Sequence, residues 1–152
     1  GLYPACSRDR PSLARMNLKE YAKTFDLLPL EGEGGFFRRV HTFKDGSVIY
    51  YALDEEDFSY THRLVTEEVW FHLDGSPVTI VLIDPEGNEE EHLLDKSNPI
   101  LVVPGLWWQS ARPKEGAALC ATVMSPAWNE EEFTLAEEAF VNLHPKTRRL
   151  VQ

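Results

Sequence analysis

Nine short strand-like stretches, each closed by a turn signal, run from Phe36 to Met124 and restrict this chain to an all-β sandwich or barrel. They are Phe36–Phe43, Ser47–Leu53, Phe58–Leu64, Glu68–Leu73, Val78–Asp84, Glu89–Leu94, Ile100–Val103, Trp107–Arg112 and Ala117–Met124. The breaks between them carry strong turn chemistry: Asp45-Gly46, Asp74-Gly75-Ser76-Pro77, Asp84-Pro85-Glu86-Gly87-Asn88 and Pro104-Gly105. A helix is expected at each end. Over Asn17–Leu28, the residues Leu18, Tyr21, Ala22, Phe25 and Leu28 share a face, Asn17 and Glu20 form a capping box, and Pro29 ends the helix. Over Glu130–Leu143, the residues Phe133, Ala136, Phe140 and Leu143 share a face, and Pro145 is the stop. The link Glu31–Gly35 is turn-rich. It is no phosphate-binding fingerprint, because the third glycine of that pattern falls on Phe37.

The 152 residues fit one domain, long enough to bury a core without disulfides. Residues 1–15 are rich in Arg, Ser and Pro, with no helix or strand period and no apolar stretch of a secretory signal. Met16 reads as the natural start. Residues 1–15 are therefore expected to be a disordered tail or an appended remnant, and residues 16–152 the domain. The net charge of −10 repels phosphate backbones, which argues against a nucleic-acid partner. No apolar run approaches the roughly 20 residues that span a bilayer. Cys6 in a polar tail and Cys120 in an apolar run indicate no disulfide framework, which fits a cytoplasmic setting.

The residues able to do chemistry gather in three strands. In the first, alternation puts Phe58, Tyr60 and His62 on one face. In the second, Glu68, Trp70 and His72 share one face and Val69, Phe71 and Leu73 the other. In the third, Trp107 and Gln109 share a face. Alternation alone sends Val69, Phe71 and Leu73 to the core and Glu68, Trp70 and His72 to water.

The segment Tyr60–Gly75 resembles the first cupin motif, His-x-His, a spacer, Glu, six residues, Gly. His62 stands at the second His position, Glu68 at the Glu position and Tyr60 where the first His would be. Pro104-Gly105-Leu106-Trp107-Trp108-Gln109 resembles the second motif, with Gln109 at the last ligand position. A closer resemblance covers residues 17–135, to the cupin family of domain of unknown function 985. It rests on Glu33-Gly34-Gly35-Phe36-Phe37-Arg38, Ile49-Tyr50-Tyr51-Ala52-Leu53, Phe58-Ser59-Tyr60-Thr61-His62-Arg63, Glu68-Val69-Trp70 with Gly75, and Val103-Pro104 with Trp108-Gln109, in that order. After the Trp the family usually shows His-Phe, whereas this chain has Phe71-His72.

The resemblance implies a double-stranded β-helix, a jelly-roll barrel with short flanking helices, and turns Glu68, Trp70 and His72 inward. It implies a small-molecule pocket lined by Tyr60, His62, Glu68, Trp70, His72, Trp107 and Gln109, with Arg38 and Tyr51 as further ligand contacts. Cupin metal sites use three His and one Glu. Here His62 and Glu68 remain, with Gln109 a poor third donor, so no metal is expected; were one bound, these three would hold it. Three functions stay open: a small-molecule-binding module, a metal-free isomerase or epimerase of the sugar-nucleotide type, and a metal-dependent enzyme. In the second, His62 serves as base, Tyr60 or Tyr51 donates a proton and Glu68 suits a general acid. Arg38, Arg39 and Arg63 are the basic residues available to meet a phosphate. With Glu68 inward, the apolar Val69, Phe71 and Leu73 need a cover, which leads to an expected homodimer.

Overall fold

A computed structural model describes residues 16–137. The expected tail 1–15 and the stretch 138–143 of the expected second helix lie outside the described residues. Helix α1, Leu18–Phe25, opens with the capping box: Asn17 Oδ1 accepts from the Glu20 N–H at 2.9 Å, and Glu20 Oε1 accepts from the Asn17 N–H. It ends earlier than Pro29 requires. Asp26 adopts a left-handed conformation, and its N–H caps the Ala22 carbonyl.

The strands form two antiparallel sheets. In chain order they are β1 (Leu28–Pro29), β2 (Phe36–Phe43), β3 (Gly46–Leu53), β4 (Ser59–Leu64), β5 (Glu68–Gly75), β6 (Val78–Ile83), β7 (Glu89–Leu94), β8 (Ile100–Val103), β9 (Trp108–Pro113), β10 (Ala118–Met124) and β11 (Phe133–Leu135). One sheet runs β1-β2-β3-β10-β5-β8, the other β11-β4-β9-β6-β7. All nine expected strands are present, with ends within a residue or two of those read from sequence.

The helix expected from Glu130 does not form over its described part. Glu130–Glu132 make one 3-10 turn capped by Asn129, and Phe133–Leu135 then pair with β4 as an edge strand. Leu135 sits opposite His62 in that pairing. The apolar spacing that reads as a helix face over a long window is two alternate residues, Phe133 and Leu135, on a three-residue strand.

The core lies between the sheets. Leu53, Trp70, Val78, Ile80, Leu82, Leu94 and Val103 are almost fully buried there. Burying such side chains contributes about 1.5–3 kcal/mol each. Outside the first sheet, α1 sets Leu18 and Tyr21 on Ala52, Ala117 and Leu119, and the Tyr21 hydroxyl donates to Asp74 Oδ2 at 2.6 Å. Among the described residues, no helix is long and apolar enough to cross a membrane.

Candidate functional site

Strand β5 is turned opposite to plain alternation. Glu68, Trp70 and His72 are buried, Val69 and Phe71 half-buried, and Leu73 exposed. The reason is tertiary: the Glu68 face meets the second sheet, and the Val69 face is the outside of the first.

Gln109 on β9 ties the two sheets together. Its Oε1 accepts the Trp70 indole N–H at 3.0 Å, and its amide nitrogen donates to Glu68 Oε1 at 3.1 Å. His62 lies directly opposite Gln109 in the β4–β9 ladder. Its Nδ1 is 2.7 Å from the Tyr60 carbonyl. A carbonyl can only accept, so Nδ1 carries the proton and the other nitrogen, Nε2, presents its lone pair.

That lone pair faces a residue missed from sequence. Glu33 Oε1 lies 3.3 Å from His62 Nε2, and both side chains are buried. Two glycines bring Glu33 inside. Gly34 and Gly35 have φ of +95° and +75°, which only glycine adopts readily. A Cβ on Gly34 would stand 1.9 Å from the Phe58 carbonyl oxygen, so the loop presses on β4 without a side chain in between. The Tyr60 N–H donates to the Glu33 carbonyl, which pins the same contact. The signal was the Gly34-Gly35 pair, two consecutive residues free to take a left-handed backbone. The sequence marks Glu31–Gly35 only as a turn-rich link, and nothing in that pattern distinguishes a buried Glu33.

A bulge separates the other residues read as one face. Ser59 pairs with Ala111 and His62 with Gln109, so β4 spends one residue more than β9 between those rungs. Ser59 and His62 therefore share the inner side. Tyr60 instead stacks edge-on against Phe58, with ring centres 5.0 Å apart.

A cavity of about 290 Å³ opens beside this cluster, between the inner face of β2, β3 and β10 and the Leu30–Glu33 loop. Glu33, Glu68, Tyr51, Ser47 and Thr122 are its polar lining, Arg39 its cation, and Leu30, Phe37, Ile49, Met124 and Trp128 its apolar wall. Tyr51 and Glu68 are thus the two expected contacts that border it. Tyr51 donates its hydroxyl to the Gly34 carbonyl at 2.6 Å and lies against the Trp70 ring.

The remaining expected residues lie elsewhere. His62, Trp70 and Gln109 form the layer behind Glu33 and Glu68. Trp107 is half-buried and packs on the core. His72 sits on the strand of Glu68 but about 13 Å along it, four residues at ~3.3 Å each. There its Nε2 meets the Ser76 carbonyl at 2.9 Å. Arg38 is outside: its Nε donates to the Phe25 carbonyl and its guanidinium covers the Tyr50 ring. Arg63 likewise lies over Trp108.

Burial sets the electrostatics. Desolvation pushes the Glu33 carboxyl up to about 8. Desolvation, then the neighbouring Glu33 charge, pushes Glu68 up to about 7. Desolvation lowers the His62 pKa, so its imidazole is neutral at pH 7. At pH 7 Glu33 is thus mostly protonated, against a neutral imidazole, and Glu68 is near its midpoint. The layer can hold and pass a proton between Glu33 and His62. Cys120, behind it, is inert, its thiol pushed up to about 12 by burial.

A metal does not fit this donor set. The Gln109 oxygen is engaged by Trp70, and His62 offers a single nitrogen. Among the described residues, no group of three or more His, Cys, Asp or Glu is placed to hold an ion.

The profile of a family described as "Cupin superfamily (DUF985)" matches residues 19–136. No curated protein matches the chain. Among solved structures, a Shewanella oneidensis protein is similar with a TM-score of 0.80 and 26% identity, covering 90% of this chain and 98% of its own. A hypothetical protein from Leishmania major has a TM-score of 0.77 and 19% identity, covering 90% of this chain and 97% of its own. A dTDP sugar isomerase from Desulfovibrio desulfuricans has a TM-score of 0.56 and 18% identity, covering 76% of this chain and 91% of its own.

Proposed function

This chain belongs to the cupin family of domain of unknown function 985, and from that premise we propose that it binds a small molecule in the cavity inside its barrel. The observation that carries the reading is the cavity itself. Buried carboxyl groups are costly to hold in an apolar interior, and here two line one hollow of about 290 Å³, near the lower end for ligand sites. Purified protein screened by thermal shift against small metabolites tests it. A binder should raise the melting temperature of the wild type and leave an Ile49→Trp variant, with the cavity filled, unmoved. Equal shifts in both would sink the reading.

A second reading follows from the His62–Glu33 contact. An imidazole lone pair facing a carboxyl group is an acid–base pair, which metal-free isomerisation needs. The likeness to a sugar isomerase fold is consistent with it but supplies no residue roles. In this reading Glu33, which borders the cavity, meets the substrate, and His62 acts through it. Tyr60, held beside Phe58, is no longer the best proton donor; Tyr51 is better placed.

The proposal includes a homodimer in a cytoplasmic setting. Two apolar rows cross the outer face of the first sheet: Val102, Val69, Val123 and Val48, then Ile100, Phe71, Ala121 and Tyr50, as the strand register pairs them. Ile100 and Val102 are 52% and 51% exposed. Helix α1 covers the Leu119 end of the same face and reaches Tyr50 through Phe25, while Ile100 and Val102 at the far edge stay exposed. A twin sheet packed face to face is the simplest cover.

A further inference from the structure

The lining of the cavity also speaks to the chemistry of its occupant, and this inference rests on the reading of that cavity as the ligand site. Glu33 and Glu68 both border it, and both are more than nine-tenths buried. Among the described residues, neither makes an ion pair with a lysine or an arginine; the one basic contact is His62 on Glu33. His62 Nε2 itself is buried and has no hydrogen bond of good geometry. Three aromatic residues share the lining with the acids, Tyr51 and Phe37 from the sheet and Trp128 from the segment after β10. An acidic floor under aromatic walls is complementary to an ammonium group, through charge pairing and through attraction to the ring faces. It is a poor match for a carboxylate or a phosphate, whose charge would be desolvated beside two acids that offer it no cation.

We infer that the cavity takes a small primary amine with an apolar body, its ammonium group placed between the Glu33 and Glu68 carboxylates. The groups that face these acids are His62 and Ser59 from β4, Gln109 from β9, Tyr51 from β3, Thr122 from β10 and Arg39 from β2. Arg39 is the one permanent cation among them. It is exposed and so lies at the outer side of the cavity. A polar or anionic tail on the amine would meet it there. Binding ionises the acids. The protons leave for solvent from Glu33 and Glu68, which burial has pushed up to about 8 and 7. Affinity therefore rises with pH between 6 and 8.5, while an alkylamine itself stays protonated throughout.

Calorimetry on the full chain tests this with three matched probe sets of two sizes. These are isobutylamine and 2-phenylethylamine, the corresponding alcohols, and isobutyrate and 3-phenylpropanoate. At pH 8 at least one amine should bind about tenfold more tightly than its alcohol. Its affinity should rise several-fold from pH 6 to 8.5 with proton release in buffers of different ionisation heat. Glu33→Gln and Glu68→Gln keep the side-chain shape and should each remove the amine preference. Ile49→Trp should abolish binding, which separates the cavity from the acidic surface. If alcohols or carboxylates bind the cavity as well as amines do, the inference fails and the cavity reading stands. If no probe binds in a way that Ile49→Trp blocks, both fail.

Discussion

Gln109 donates an amide hydrogen to Glu68 across 3.1 Å, from a strand of one sheet to a strand of the other, and both residues are buried. The same amide accepts from Trp70, so one side chain serves a cavity-lining carboxyl and a fully buried indole. Gln109→Leu leaves the Trp70 indole without its acceptor and takes from Glu68 one of two side-chain partners, the other being Thr122. A buried polar group left unpaired costs about 1–3 kcal/mol, so the variant should lose roughly that much, read by urea unfolding. A loss under about 0.5 kcal/mol would show that the bridge is incidental.

The buried acids make stability depend on pH, with the sign set by their raised values. The folded state holds protons that the unfolded chain releases above about 4.5, so both acids favour folding at low pH and oppose it as pH rises through 7 and 8. Glu33→Gln and Glu68→Gln carry no such charge. Each should melt several degrees above the wild type at pH 8.5 and close to it at pH 5. An unchanged or lower melting temperature at pH 8.5 would mean that the carboxylates are ionised and paired by something else.

Metal content is a separate test of the donor set. Elemental analysis of purified protein should find far less than one equivalent of zinc, iron, nickel or manganese, and chelator should leave the melting temperature in place. Gln109→His should raise metal uptake, because an imidazole replaces an amide at a position facing His62. Near one equivalent in the wild type would move the metal-dependent enzyme to the head of the readings.

The outer face of the first sheet is tested by Phe71→Glu. Phe71 pairs with Ala121 on one side and Ile100 on the other, in the middle of the exposed apolar rows. Light scattering should give a dimer for the wild type and a folded monomer for the variant. A wild-type monomer of 17.4 kDa at micromolar concentration would refute the dimer.

The loop that carries Glu33 depends on Gly34. Gly34→Ala places a methyl group against the Phe58 carbonyl at a left-handed backbone position. The variant should lose roughly 1–3 kcal/mol. It should also weaken whatever depends on the Glu33–His62 contact. A variant as stable as the wild type would show that the loop can stand off β4 without harm.

Much of this molecule is local information. Strands punctuated by Asp-Gly and Pro-Gly, a helix opened by Asn17 and Glu20, and a Glu68 that the motif resemblance turns inward are all legible along the chain, because turn, cap and period are set by residues a few positions apart. The structure adds what local pattern cannot carry. Phe133–Leu135 is a strand because β4 has a free edge to pair with, not because of its own periodicity. Tyr60 parts from His62 because β4 and β9 fall one residue out of step, a fact about two strands 47 residues apart at the His62–Gln109 rung.

Glu33 marks the boundary most clearly. The chain by itself determined an all-β barrel, the strand on which Glu68 lies, and a double glycine after Glu33. Only tertiary structure decided that the glycines fold that loop onto β4, that a turn residue is buried, and that two acids and an imidazole end in one desolvated layer. The physical reason is that burial is a property of what packs on top. A carboxyl group in a turn and a carboxyl group in a core have the same sequence; the difference in their protonation is made entirely by the surface that arrives to cover them.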